Sequence, residues 1–232
     1  MEERKTVNFK KEEYNIREYI KNFIGKGKVS RVKIEYTPMG EKIIVSTNKP
    51  GLVIGRGGEK IEELTKVLKD KFKLENPRIE IDEIREAELD AQIMADEIAL
   101  GLERLGPIKF KVIAYKTLQK IMDRGALGVE IRLNGKLPGA RAKAWRFAQG
   151  YLKKVGDSAK VVDKAQARAE TKPGTVGVKV SILSPYVKLK DNVVIDENFL
   201  KKIKDNEGKM EDEKEKKTIK KPRKTTKKIE GK

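Results

Sequence analysis

The stretch Gly51-Leu52-Val53-Ile54-Gly55-Arg56-Gly57-Gly58-Glu59-Lys60-Ile61 decides how the rest of this 232-residue chain is read. Short apolar segments ending at Ile54 and resuming at Ile61 flank the loop Gly55-Arg56-Gly57-Gly58. Three of the four loop residues carry no side chain, so a polyanion can approach the protein backbone closely. Arg56 can then reach a phosphate, and Lys60 stands just beyond it. A GXXG loop of this kind grips about four nucleotides of single-stranded backbone. The same glycines would also serve as a plain flexible turn ahead of a helix. The flanking sequence has to decide between the two.

Upstream, Tyr14, Tyr19, Ile20, Phe23 and Ile24 fall on one helical stripe, which Gly25-Lys26-Gly27 ends. Val32, Ile34 and Tyr36 alternate with charged residues as a half-buried strand does. Thr37-Pro38-Met39-Gly40 makes a turn, and Ile43 and Val45 continue in a second strand. Beyond the glycine loop, Ile61, Leu64, Leu68 and Phe72 recur at helical spacing up to Asn76-Pro77, and Ile79 and Ile81 give a third strand. The predicted order is helix, strand, strand, helix, loop, helix, strand over residues 10–86, after an N-terminal extension at 1–9.

A second α+β unit is expected over residues 87–190. Leu89, Ile93, Ala95, Ile98 and Leu102 form one helical face, and Phe110, Ile113, Leu118, Ile121 and Met122 form another. Leu127, Val129, Ile131 and Leu133 alternate strictly, residues 144–152 read as a strand, and Val176, Val178, Val180 and Ile182 read as the last one. Residues 161–171 fit either strand or helix, since Ala165, Ala167 and Ala169 alternate but alanine favours helices. Two helices on a sheet of about four strands is the simplest packing.

Composition narrows the function. The chain holds 54 Lys and Arg against 36 Asp and Glu, a net charge of +18. Such a charge favours a polyanionic partner, because each neutralised phosphate releases condensed counterions. Cysteine and histidine are both absent. That removes disulfides, thiolate nucleophiles, the usual structural zinc ligands and the commonest general base. No secretory signal and no apolar run near the ~18 residues of a membrane span is found, so a soluble, cytoplasmic protein is expected. The excess charge is concentrated. Residues 141–190 hold 12 basic residues against Asp157, Asp163 and Glu170, and residues 201–232 hold 14 against 7 acids. The tail, 191–232, has too few large apolar residues to offset ordering entropy and is expected to be mostly disordered.

Arg132, Lys136, Arg141, Lys143 and Arg146 surround the central hairpin, interleaved with Trp145, Phe147 and Tyr151. The cations suit phosphate and sugar contacts. The aromatics could stack unpaired bases, but alternation in a strand favours burial of at least two of them. Acidic residues such as Glu59, Glu62, Glu63, Asp82 and Glu83 read as solvated partners for lysine. No G-x-x-x-x-G-K-[ST] is present, and Gly55-Arg56-Gly57 lacks the last glycine of a dinucleotide fingerprint. Catalysis would have to rest on a lysine amine or a bare carboxylate.

The first unit has the element order of a type II KH domain. Residues 49–59 are similar to the corresponding stretch in the family of the universal third protein of the small ribosomal subunit. So are Glu88-Leu89-Asp90-Ala91, Ala95-Asp96, Leu102-Glu103-Arg104, Gly125-Ala126-Leu127-Gly128-Val129, residues 134–140 and Gly177-Val178-Lys179-Val180. The resemblance spans about residues 10–185, and the charged tail gives it an archaeal or eukaryotic cast. It implies an α+β chain: a type II KH domain, then a second domain of two helices on a roughly four-stranded sheet, then a disordered basic tail. It implies a non-enzymatic structural protein of the small-subunit head, binding small-subunit rRNA, mRNA at the channel where it enters, and neighbouring head proteins. No cofactor, metal, membrane or small-molecule substrate is implied. In bacterial members a basic cluster opens the helix that begins here near Lys109. Lys109, Lys111 and Lys116 remain of it, while Val112 and Tyr115 occupy positions where a base is expected. A solvated helix face is the competing reading of those lysines. Two other functions stay open: a free KH-type RNA-binding or maturation factor, and a DNA lyase using a lysine Schiff base.

Overall fold

The computed structural model describes residues 2–139, 141–187 and 189. The tail expected to be disordered, 191–232, lies outside the described residues, as does Ala140.

Helix α1 spans Glu2–Ile24, so the segment read as an extension, 1–9, is continuous with the first helix. Its buried stripe is Glu13, Ile16, Ile20 and Ile24, at spacings of three and four residues. Tyr14, expected on that stripe, points the other way and is exposed. Strands β1 (Val29–Thr37) and β2 (Gly40–Thr47) form an antiparallel hairpin, and β3 (Arg78–Glu83) joins β2 in parallel. A parallel partner needs a crossover, and α2 (Pro50–Ile54) with α3 (Glu59–Phe72) supplies it, carrying the glycine loop between them. Ile16, Ile20, Val32, Ile43, Val45, Val53, Leu64 and Leu68 build the first core. Each such side chain contributes roughly 1.5–3 kcal/mol on full burial.

The second core lies between α4 (Ala91–Leu105), α5 (Phe110–Asp123) and a four-stranded antiparallel sheet. Its strands are β4 (Gly128–Gly135), β5 (Lys143–Gly150), β6 (Asp163–Thr171) and β7 (Gly174–Leu183), in the order β5-β4-β7-β6. The ambiguous segment 161–171 is therefore a strand. Ala165 and Ala169 sit in the core with Ala91, Ala95 and Ala99 of α4, so the small side chains serve a helix–sheet contact and not a helix. Strand β5 stops at Gly150, earlier than the expected 152. Gly150 has φ 74°, and a Cβ there would lie 2.4 Å from the Leu127 oxygen. Tyr151 N–H then donates to that oxygen at 2.8 Å, turning the chain away. Both architectures agree with the expected α+β class.

A seam of carboxylates joins the two cores. Asp90 caps α4, accepting from the Gln92 and Ile93 amides at 2.9 and 3.2 Å, and takes the Ser30 hydroxyl on its other oxygen. Asp163 accepts from Arg31 at 2.6 Å and from the Ala91 amide at 3.1 Å. Glu103 accepts from Lys26 at 3.1 Å and the Glu170 amide at 3.0 Å. Asp96 accepts from the Gly27 amide at 2.9 Å and from Gln92 at 3.2 Å. Burial raises the Asp96 pKa, against those hydrogen bonds and the fields of Lys21 and Lys26. A carboxyl whose folded pKa is raised stabilises the fold most below its unfolded pKa, and loses that contribution as pH rises through the folded value.

Asp96→Ala strands the Gly27 amide and is expected to lower unfolding free energy by about 1–3 kcal/mol. Asp96→Asn keeps an acceptor without the buried charge. It is expected to match or exceed the original stability at neutral pH and to flatten the acid-range pH dependence. Denaturant melts across a pH series read both outcomes.

Candidate nucleic-acid interface

Gly55 closes α2, its amide donating to the Gly51 oxygen at 3.1 Å. It has φ 78° and ψ −174°, and a Cβ there would meet Lys60 Cγ at 2.8 Å. That backbone region is essentially glycine-only. Gly57 and Gly58 have φ 60° and 88°, and a Cβ at either would meet nothing within 4 Å. The space over them is open. Arg56 and Lys60 are exposed on either side, Lys60 reaching back to the Leu52 oxygen at 3.4 Å. Gly58 has no side chain to cap α3, and the Glu59 amide at its start donates to the Arg56 oxygen across the loop. The loop is thus a bare backbone surface with two cations beside it.

Lys109 just before α5, Lys111 in its first turn and Lys116 midway along it are exposed. Lys111 Nζ lies 4.7 Å from the Trp145 ring centre, and Trp145 packs on Phe110 at 5.5 Å. Phe147 is buried against Phe110 and Tyr115. Trp145 keeps 37% and Tyr151 52% of their surface exposed, so one aromatic of the three is buried and not at least two. The helix covers Phe147, whereas Trp145 meets only its first turn at Phe110 and Lys111, and Tyr151 lies beyond the end of β5. Ile108, Val112 and Tyr115 are exposed apolar residues at helical spacing, and Leu105 at the end of α4 is exposed as well.

The third surface is the open face of the four-stranded sheet. Along β4, Val129, Ile131 and Leu133 face the helices, and Glu130, Arg132 and Asn134 face away. Arg132 stands opposite Arg146 on β5 and Lys179 on β7. Glu130 is buried beneath them. It accepts from Arg132 Nε at 2.5 Å, Arg146 Nε at 3.0 Å and Lys154 Nζ at 2.7 Å. Burial alone would raise its pKa, but Lys154, Arg132 and Arg146 outweigh that and hold the carboxyl at about 2. It stays ionised at any physiological pH. Lys136, Arg141 and Lys143, around the β4–β5 connection, are exposed. The structure therefore gathers Arg132 with Arg146, and Lys111 with Trp145, while the glycine loop stands in a different core's surface. Glu130, Lys154 and Lys179 escaped the sequence reading, although β4 alternation already puts Glu130 and Arg132 on one face.

Lys42 gives no help to a Schiff-base reading. Its pKa is raised, chiefly by the hydrogen bond to Glu80, so the amine holds its proton more firmly.

Residues 15–89 match the KH domain family, and residues 98–182 match the family described as ribosomal protein S3, C-terminal domain. The small ribosomal subunit protein uS3 of Methanocaldococcus jannaschii is 41% identical over 184 residues, 79% of this chain and 88% of that protein. The chain belongs to the uS3 family. The uS3 of Methanosphaera stadtmanae is 40% identical over 183 residues, covering 78% of this chain and 72% of its own length. That of Methanothermobacter thermautotrophicus is 41% identical over 177 residues, covering 76% and 68%. The archaeal cast of the resemblance is borne out, and uS3 is a family of ribosomal proteins, not of enzymes.

Replacing Arg56 and Gly57 together by aspartate tests the loop. Gly57 is left-handed at φ 60°, ψ 15°, where aspartate is among the better tolerated residues. The double variant is expected to keep its circular dichroism spectrum and to lose binding of short single-stranded RNA at the loop. Equal affinity in two folded proteins would show that the glycines make a turn and nothing more.

Proposed function

We propose that this protein is a structural, RNA-binding constituent of the small ribosomal subunit head. It binds small-subunit rRNA, contributes to the site where mRNA enters, and contacts neighbouring head proteins; its location is the cytoplasmic ribosome. The observation that carries this is the roughly 40% identity to archaeal uS3 proteins, running through both the KH unit and the second core. The three surfaces support it by their chemistry. Exposed Lys109, Lys111 and Lys116 suit a passing nucleic-acid backbone, and the open sheet face suits rRNA phosphates. The stripe at Ile108, Val112 and Tyr115 supports a neighbouring surface, since a lone monomer gains nothing from exposing it.

Sucrose-gradient sedimentation at raised salt separates this from a free KH factor: the protein is expected to stay with small subunits. A pool mainly at the top of the gradient would favour the free factor. Charge reversal at Arg141, Lys143 and Arg146 together is expected to weaken rRNA binding and to flatten the dependence of log affinity on log salt by about 2 units or more. An affinity indifferent to salt in the unaltered protein would remove phosphate contact as the basis of binding.

A further inference from the structure

The open face of the four-stranded sheet is arranged for more than general positive charge. Arg146, Arg132 and Lys179 are directly opposite one another on three neighbouring strands. One row along, Lys164 of β6 is opposite Ser181 of β7, which is opposite Glu130. Like charges directly opposite on adjacent strands destabilise a sheet. One anion sits among them, Glu130, and its two oxygens are taken up by Arg132, Arg146 and Lys154. Lys164 and Lys179 are exposed and form no ion pair among the described residues. Between them lies a depression of about 230 Å³ whose lining includes Glu130, Arg132, Lys154, Lys164, Lys179 and Ser181.

We propose that this depression is a phosphate-binding cradle for the RNA backbone, with Glu130 as the positioning residue that sets it. The proposal rests on the RNA-binding reading above and names the site within it. The Glu130 carboxylate is buried and fully ionised, so it acts as a fixed internal anion. It orients Arg132, Arg146 and Lys154 by hydrogen bonds to their heads, yet each of those side chains keeps about half its surface exposed. Part of each head group therefore stays accessible to a ligand. Lys164 and Lys179 then close the far side, with the Ser181 hydroxyl as a further donor. A phosphodiester seated there would be met by donors from three strands and one loop, with Arg146 of β5 held beside it by Glu130, and would relieve the row of opposed cations. A sheet face of this kind reads phosphate, not sequence.

The decisive feature is the sign of one substitution. Glu130→Gln makes the protein one charge more positive, so by net charge alone it should bind RNA more tightly. The cradle requires the opposite, because the guanidinium groups lose the anion that orients them. The test uses the full chain and small-subunit rRNA transcribed in vitro, with dissociation constants measured over a salt series and circular dichroism as the folding check. Lys164→Ala/Lys179→Ala is expected to weaken binding about tenfold or more and to flatten the salt slope by roughly 1–2 units, two phosphate contacts being lost. Lys66→Ala/Lys69→Ala, an equal loss of charge on exposed positions of α3, is expected to do markedly less. Glu130→Gln is expected to bind more weakly than the original, and Glu130→Asp to recover part of the loss.

Absence of rRNA binding by the unaltered protein would remove the RNA-binding reading and the cradle together. Binding by the unaltered protein, with Lys164→Ala/Lys179→Ala equal to it or to the α3 control, would remove the cradle alone. Tighter binding by Glu130→Gln would overturn the positioning role. Should Glu130→Gln fail to fold, the two lysine pairs still decide the site.

Discussion

The two-residue period of β4 is the constraint on which the second half of the molecule rests. The strand is central, flanked by β5 and β7, so every one of its residues has neighbours on both sides. Val129, Ile131 and Leu133 are fully buried beneath α4 and α5. A slip of one residue would put Glu130 and Arg132 into that core and expose three large apolar side chains. The free energy separating the two registers is therefore large. The same constraint that seats the core also holds Arg132, Arg146 and Lys179 in one row on the opposite face. The electrostatic arrangement of the surface is a consequence of packing on its other side.

A minority of the acidic residues in this chain of net charge +18 are drawn into its interior and its seam. Asp90, Asp96, Glu103 and Asp163 are used between the two cores, each accepting from at least one backbone amide. Glu13 is buried in α1 between Lys10 and Arg17. Glu130 is buried in the sheet. A carboxylate placed inside, with its oxygens satisfied, both organises local structure and leaves the cations facing solvent. On the open sheet face, where Glu130 is the buried acid, the outward charge is therefore carried by Arg132, Arg146, Lys164 and Lys179.

Elements marked by glycine, proline and strict alternation were legible in the sequence. The hairpin at Thr37-Pro38-Met39-Gly40, the glycine loop and β7 are of this kind. Three features were not. Tyr14 sits beside an apolar run, but only packing decides whether the stripe is centred on Ile16, Ile20 and Ile24 or turned toward it. Alternation would place Trp145, Phe147 and Tyr151 on one side of a strand running to 152, without saying that β5 stops at Gly150 or how far α5 reaches over it. The helix covers the middle residue and leaves the others exposed. Strand order was the third. β4 pairs with β7, with β5 and β6 intervening in sequence, and a local pattern carries no information about a partner so distant. For that reason Lys179 could not be set beside Arg132 from spacing, and the row of opposed cations became visible only through the sheet.

Helix α5 separates the residues that hold the fold from those that set the character of its surface. Its inward residues Phe110, Ile113, Leu118 and Ile121 are committed to the core. Ile108, Val112 and Tyr115 stay largely exposed, although Tyr115 sets one edge of its ring against Phe147. Where cations would act on phosphates through a field that salt screens over about 8–10 Å, Val112 and Tyr115 act only on contact. A surface of that kind is short-ranged and largely indifferent to salt. It favours a partner that fits and offers little to a mobile polyanion. Lys109, Lys111 and Lys116 retain the long-range attraction beside it. Lys111 is also held over the Trp145 ring at 4.7 Å, which keeps its charge at the edge of the apolar stripe. The helix therefore presents attraction at a distance from its lysines and selectivity at contact from its apolar ridge.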